Sequence, residues 1–293
     1  MISRGIIFGL MVAVTAFAWG AQPTTTPSTP SLTGIAHVAI RVGDLEQSRA
    51  FFRKLGFEEA FAMDKGGAPA EAFVKVNDRR FIELYPRRDA SAAVGFMHVC
   101  FETADINAVY QDYIDHGLTP TAVKRAGAGN LLFTLQGPDQ PGLPSDVRGA
   151  AMQNIEYTQY MPGSRHTLDR GQHLGPDRMA ERIVAVGIPF THPAEAETFY
   201  IDKLSFQRDA SPRDRNYAAV ILPSSPDEQI EFLSEEAGAS PNALPFRLIF
   251  SVPNLRRTAD RLRALGFASA KHGKTLTIHD PDGDTIVFVH TEL

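Results

Sequence analysis

The 293-residue sequence contains one cysteine, Cys100, and one tryptophan, Trp19. A single thiol excludes an intrachain disulfide, so stability must come from a hydrophobic core, and 43% hydrophobic residues are enough to form one. Cys100 has apolar neighbours and is predicted to be a buried strand residue. A large excess of positive or negative charge is also lacking, since the formal net charge is -5. This balance argues against a nucleic acid or an anionic membrane surface as partner.

Long hydrophobic runs are scarce as well. The run from Ile6 to Phe17 follows Arg4 and ends in small residues. This layout is typical of a secretory signal peptide over residues 1–20 and is short for a membrane span, although an uncleaved anchor is the alternative. Residues 21–32, rich in Pro, Thr and Ser, are predicted to be a disordered tether. We therefore expect an exported protein, periplasmic or secreted, with no membrane contact after signal removal.

An internal repeat is the most informative feature that is present. The stretch "GIAHVAIRVGDL" begins at Gly34, and "GFMHVCFETADI" begins at Gly95, an offset of 61 residues. Each places a histidine fourth, His37 or His98, within a strand-like alternation of apolar residues. One buried histidine usually serves packing, but two at matched positions of a repeat indicate a shared role.

The repeat extends to four similar units. The first reads as a strand, a helix over residues 45–55 and two or three further strands, and units near Arg182 and Phe246 echo the first two at an offset of 149. The predicted fold class is α+β, with four βαβββ modules in two pairs. Each pair would form a curved mixed sheet around a cavity with its helices outside. The predicted domains are 33–162 and 182–293, joined by a linker over residues 163–181.

Carboxylates follow the histidines at matched positions. Glu83 in "FIELYP" and Glu156 in "NIEYTQY" each end a unit on a predicted strand. If the paired sheet curves around a cavity, His37, His98 and these carboxylates can converge. Two imidazoles with one or two carboxylates suit one divalent transition metal, namely Fe, Mn, Ni, Zn or Co. Core histidines with surface carboxylates are the alternative.

These motifs, together with "FFRKLGF", resemble the vicinal oxygen chelate superfamily, which includes glyoxalase I, methylmalonyl-CoA epimerase, type I extradiol dioxygenases and bleomycin resistance proteins. The resemblance implies paired βαβββ modules. It also implies a metal held by first-strand histidines and last-strand carboxylates, here His37, Glu83, His98 and Glu156.

The C-terminal pair departs from that pattern. At the offset of 149, Val186 replaces His37 and Arg247 replaces His98, while Val287 stands where the superfamily usually has Glu. Only Glu231 is retained. The second pair is therefore expected to be a degenerate copy without a metal site. The same fold without histidines also indicates that packing alone does not require them.

Further site residues are predicted with less support. Arg41, Tyr85 and Tyr160 are candidate substrate-binding residues, and Glu83, Glu156 and His166 are candidate catalytic groups. A solvated strand-end arginine and an exposed linker histidine are the alternatives for Arg41 and His166.

The predicted function is that of an exported metal-dependent enzyme acting on a small oxygen-rich substrate by bidentate metal chelation. Glu83 favours glyoxalase- or epimerase-like lyase or isomerase chemistry, because those relatives use a fourth protein ligand. The first alternative is an Fe(II) extradiol-type dioxygenase, although that group holds its metal in the C-terminal pair. The second is a non-catalytic, bleomycin-resistance-like binding protein. A small molecule is the expected partner, and the chain is expected to be a monomer or homodimer.

Overall fold

The structure is a computed structural model that describes residues 31–90, 92–139, 152–234, 243–244 and 246–291. The predicted signal peptide and most of the predicted tether lie outside these residues. The described chain forms two large mixed sheets, and the expected βαβββ modules are confirmed. No helix within these residues has the length and apolar character needed to cross a bilayer.

The first sheet is built by the first two modules. The first module runs β1 (Leu32–Val42), α1 (Leu45–Lys54), β2 (Glu58–Lys65), β3 (Ala68–Asn77) and β4 (Arg80–Pro86). The second runs β5 (Val94–Thr103), α2 (Ile106–Asp115), β6 (Lys124–Arg125), β7 (Leu131–Asp139) and β8 (Met152–Gln159). The strand order is β2-β3-β4-β1-β5-β8-β7-β6, so the first strands of the two modules lie side by side at the centre.

The second sheet repeats this plan. After the short helix α3 (Arg165–Leu168), the third module runs β9 (Arg182–Phe190), α4 (Pro193–Leu204), β10 (Gln207–Arg208), β11 (Ala218–Leu222) and β12 (Ser225–Ser234). After β13 (Ala243–Leu244), which pairs with β5, the fourth runs β14 (Arg247–Val252), α5 (Leu255–Ala264), β15 (Ala270–His272), β16 (Thr275–His279) and β17 (Thr285–His290). Its strand order is β10-β11-β12-β9-β14-β17-β16-β15.

Local sequence explains how the repeated helices begin and end. Asp44 and Asp105 precede α1 and α2, and each side chain accepts hydrogen bonds from two backbone N–H groups of the first turn. Gly56 and Gly117 follow the two helices with φ of 84° and 77°, a left-handed conformation that favours glycine. The caps fix the angle at which each helix returns to its sheet.

The two faces of the first sheet differ in chemistry. On β1, Val38 and Ile40 face the main hydrophobic core, which also contains Phe52 of α1. The opposite face carries a small apolar cluster that includes Phe81 and Cys100. The cluster confirms that the single cysteine is buried. The buried polar side chains of the central strands β1, β4 and β5 include His37, Arg41, Glu83 and His98.

Candidate metal centre

Four adjacent strands, β4, β1, β5 and β8, deliver the predicted site residues to one place. In the register of the sheet, Ala39 of β1 lies opposite both Glu83 of β4 and His98 of β5. Glu156 of β8 lies beside Cys100, two residues beyond His98. Since side chains two residues apart share a face, this register gathers the two histidines and two carboxylates on one face.

Three of these side chains direct ligand atoms at a common point. His37 Nε2 lies 3.1 Å from His98 Nε2 and 3.5 Å from Glu156 Oε1. One ligand atom from each residue lies within 4.8 Å of the others. Two nitrogens bound to one ion at ~2.1 Å stand about 3.0 Å apart in octahedral geometry and about 3.4 Å apart in tetrahedral geometry. The observed separations therefore fit a single transition-metal ion.

Burial keeps the imidazoles of His37 and His98 in the unprotonated state that can bind a metal ion. It lowers the pKa of His37, with the neighbouring His98 adding to the effect, and lowers the pKa of His98 to about 4. Both imidazoles are therefore neutral near pH 7, the form that binds metal ions. Burial raises the pKa of Glu156 to about 7, while a hydrogen bond from the Cys100 thiol opposes that shift. Glu156 can thus hold or give up a proton near neutral pH.

Glu83 lies on the other side of the His37 ring. Its Oε1 is 3.2 Å from His37 Nδ1, although the N–H direction is not aligned for a hydrogen bond. Its Oε2 accepts a hydrogen bond of 2.9 Å from the Tyr85 hydroxyl, which also lies 3.2 Å from Glu71 Oε2. Glu71 of β3 was missed by the sequence reasoning, although Glu71, Phe73 and Lys75 alternate along one strand. Burial raises the pKa of Glu83, and the Glu156 carboxylate adds to that rise.

His166 is buried beside the same face and is not an exposed linker residue. It stacks on Tyr160 at 4.6 Å between ring centroids. Three phenylalanines contact its edge: Phe61, Phe73 and Phe81. Neither ring nitrogen of His166, nor the Tyr160 hydroxyl, has a hydrogen-bond partner among the described residues. Burial lowers the pKa of His166 to about 4, so its ring is neutral.

The other predicted substrate residue, Arg41, lies further along β1. It is 5% exposed and pairs in register with Tyr85 on one side and Gly95 on the other. Arg41 and Tyr85 thus lie together at one end of the site, whereas Tyr160 and His166 lie among the aromatic side chains.

Comparison with known proteins was made for the sequence and for the fold. The family model for the Glyoxalase/Bleomycin resistance protein/Dioxygenase superfamily matches residues 34–140, which span both histidines and Glu83. Residues 34–140 belong to this superfamily. A search of curated protein sequences found no match.

Solved structures share the superfamily fold over most of the chain. The 2,3-dioxygenase LapB from Pseudomonas sp. KL28 is 17% identical, with a TM-score of 0.61 over 91% of this chain and 94% of that one. The Mn(II)-bound glyoxalase from Novosphingobium aromaticivorans is 16% identical, with a TM-score of 0.60 over 88% of this chain and 82% of that one. A variant of homoprotocatechuate 2,3-dioxygenase from B. fuscum is 13% identical, with a TM-score of 0.61 over 92% and 75%. At such identities the likeness concerns the fold.

The second sheet repeats the strand order of the first with a different set of side chains. Glu231 pairs in register with Gly187, as Glu83 pairs with Ala39, so the residue at the position of His37 is Ala185. The sequence-based prediction that Val186 replaces His37 was therefore wrong by one residue. Val186 faces the main hydrophobic core, whereas Ala185 lies in the small apolar cluster on the opposite face.

Arg247 places a permanent positive charge where the first sheet has a candidate metal ligand. It stands at the register position of His98, and its guanidinium lies 3.2 Å from Glu231 Oε2 and 3.0 Å from Asp214 Oδ2. Val287 occupies the register position of Glu156. A buried carboxylate paired with arginine needs no metal ion to balance its charge. Within the described residues, the only group of three metal-binding side chains is the one in the first sheet.

Proposed function

We propose that this protein is a metal-dependent enzyme of the superfamily that acts on a small substrate through two adjacent oxygen atoms. The main support is the meeting of His37, His98 and Glu156 at separations that fit one ion. These three residues would hold the ion and leave coordination positions for substrate oxygens. When bound, such an ion polarises a carbonyl and stabilises an enolate or oxyanion, or as Fe(II) supports oxygen chemistry.

The chain's own groups would move the proton. Burial raises the pKa of Glu156 to about 7 in the metal-free site, and a Glu156 carboxylate displaced from the ion by the substrate would accept and return the substrate proton. The Tyr160 hydroxyl and His166 ring lack partners in the described structure, so they can bind a polar substrate atom among the phenylalanines. Arg41 and Tyr85, at the other end of the site, are the proposed contacts for an anionic group.

Two reaction classes are supported by different observations. Lyase or isomerase chemistry of the glyoxalase or epimerase kind is supported by Glu156, which can serve as a proton acceptor beside the ion. Extradiol-type dioxygenase chemistry is supported by a donor set of two histidines and one glutamate, the set typical of non-haem Fe(II). We also propose that the enzyme is exported, on the basis of the signal-like residues 1–20.

Metal content is the first test. The protein purified without chelator should contain about one transition-metal ion per chain, and His98→Ala should lose it because a neutral ligand is removed. His272→Ala, at an exposed histidine outside the site, is the matched control and should keep the ion. Elemental analysis by mass spectrometry measures all three proteins.

The identity of the metal selects the reaction assay. Iron would direct the assay to catechols with oxygen uptake, and nickel, zinc, manganese or cobalt to isomerase and lyase substrates. Wild-type protein that remains without metal after reconstitution would contradict the enzyme proposal and favour a ligand-binding protein.

A further inference from the structure

We propose that Glu83 and Tyr85 are positioning residues of the metal centre: Glu83 holds His37 through Nδ1, so that Nε2 faces the ion, and is not itself a ligand. This inference rests on the proposed metal site and goes beyond it, because it removes a carboxylate from the ligand set and assigns it another role.

The first support is that the two ring nitrogens of His37 serve different partners. Nε2 faces His98 and Glu156, at 3.1 Å and 3.5 Å, whereas Nδ1 faces Glu83 at 3.2 Å. The two lone-pair directions of an imidazole diverge, so an ion bound to Nε2 lies away from the carboxylate that contacts Nδ1. A histidine ligand normally donates its second N–H to a carboxylate or carbonyl, which fixes its tautomer and orientation. At 3.2 Å the two atoms are within reach of such a bond but not aligned for it, so the proposed role requires the two side chains to adjust when the ion binds.

The second support is that each oxygen of Glu83 already has a polar neighbour within 3.2 Å. While Oε1 contacts His37, Oε2 accepts the hydrogen bond from the Tyr85 hydroxyl, and the residue is only 4% exposed. A metal ligand at this position would have to release one of these contacts in a buried setting.

The third support is that the contacts form a chain across neighbouring strands. Glu71 of β3 lies next to Tyr85 of β4, Tyr85 contacts Glu83, and Glu83 contacts His37 of β1. Because β3, β4 and β1 are adjacent in the sheet, the rigid backbone sets the position of each member. The imidazole is thereby held from the side opposite the ion.

The second sheet provides an internal comparison. Its register places Leu233 at the position of Tyr85 and Ala185 at that of His37, while the glutamate is retained as Glu231. Glu231 pairs with Arg247 instead. The tyrosine and the histidine are thus both absent from the copy that lacks a metal group, as expected if the tyrosine serves the histidine. The retained glutamate again pairs with a side chain of a neighbouring strand.

X-ray absorption of the metal-loaded protein, with a metal titration, tests this role. In wild type the first shell should contain two imidazoles and one carboxylate. Glu83→Gln should keep that shell and one ion per chain, and should weaken metal affinity about 10–100-fold, the usual effect of losing such a partner. Tyr85→Phe should weaken it less and also keep the shell. The metal-free variants should be at least as stable as wild type in thermal unfolding, which separates positioning from a general folding defect.

The outcomes distinguish this inference from the proposed function. A second carboxylate in the wild-type shell, or an oxygen ligand lost from the shell in Glu83→Gln, would overturn the positioning role and leave the metal enzyme intact. Unchanged affinity in Glu83→Gln would also overturn it. Wild-type protein that binds no ion would overturn both, through failure of the metal site itself.

Discussion

Two aspartates of the turn between β16 and β17 show how burial and a neighbouring charge raise the pKa of a carboxyl group. Asp280 Oδ1 accepts hydrogen bonds from the backbone N–H groups of Asp282 and Asp284. The Oδ2 atoms of Asp280 and Asp284 are buried and have no hydrogen-bond partner within the described part of the chain. Burial raises the pKa of Asp280 to about 6, and burial with the Asp280 charge raises the pKa of Asp284. At neutral pH this turn therefore holds buried negative charge that destabilises the folded state.

This pair predicts a pH-dependent stability. Because the folded pKa values lie above the unfolded ones, the stabilisation is fully present below the unfolded value near 3.8 and is lost as pH rises through about 6. Asp284→Asn removes one charge at similar shape, so it should raise the free energy of unfolding at pH 8 by on the order of 1–3 kcal/mol. The gain should shrink towards pH 4.5. Thermal unfolding across this range measures it.

The control is Asp260→Asn, at an exposed aspartate that pairs with Arg263 on the surface of α5. It should show no comparable pH-dependent gain. An Asp284→Asn protein that is less stable than wild type at pH 8 would contradict the burial account.

Among the elements, the segment of residues 164–173 is held by a buried lysine. Lys75 Nζ donates to Asp169 Oδ2 at 2.7 Å and to the backbone oxygens of Asp169 and Gln172, each at 2.6 Å. Arg165 also donates to Ala62 O at 2.7 Å. These contacts keep His166 against the aromatic side chains, although the sequence of the segment shows no periodicity.

Lys75→Met should therefore loosen this segment. It leaves Asp169 buried without its cation, which costs about 3–5 kcal/mol, and it removes the donor to two backbone oxygens. Amide hydrogen exchange of residues 167–169 should accelerate at least about tenfold, whereas the amides of α5 should change little. Lys65→Met, at an exposed end of β2, is the matched control and should leave both regions unchanged. Equal acceleration throughout Lys75→Met would indicate global destabilisation instead.

At the scale of the whole molecule, the two sheets share one core and one buried ion network. Phe57 stacks on Phe250 at 5.3 Å, and the main hydrophobic cluster contains residues of both sheets. Arg80 of β4 pairs with Glu102 of β5 at 2.7 Å and with Glu228 of β12 at 3.6 Å. Glu228 also accepts a hydrogen bond from the backbone N–H of Ile35. This continuity predicts a single cooperative unfolding transition.

Glu228→Gln should lower the stability of the whole molecule by about 1–3 kcal/mol, because it weakens charge-assisted hydrogen bonds in a buried place. The adjacent Asp227→Asn is the control: Asp227 is 71% exposed and pairs with Arg182, so its loss should cost less than about 1 kcal/mol. Denaturant unfolding followed by fluorescence and circular dichroism measures both. Two separate transitions, of which only one shifts in Glu228→Gln, would contradict the shared core.

The sequence by itself determined the modules and the group of candidate metal ligands. Matched histidines in a repeat, with strand alternation, placed His37, His98 and Glu156 on one face, because the side-chain period of a strand is two. The helix ends followed from Asp caps and glycines. Both signals are local, so they can be read without knowledge of the fold.

Tertiary structure decided the finer roles. Strand periodicity shows on which face of the sheet a side chain lies, but not which ring nitrogen of a histidine it contacts. The contact of Glu83 with His37 Nδ1 was therefore not predictable. Gly187 follows Ala39 by 148 residues and Arg247 follows His98 by 149, so a fixed offset of 149 selected Val186 in place of Ala185. The burial of His166 depends on Lys75, 91 residues away in sequence, and contacts over such distances exist only in the folded chain.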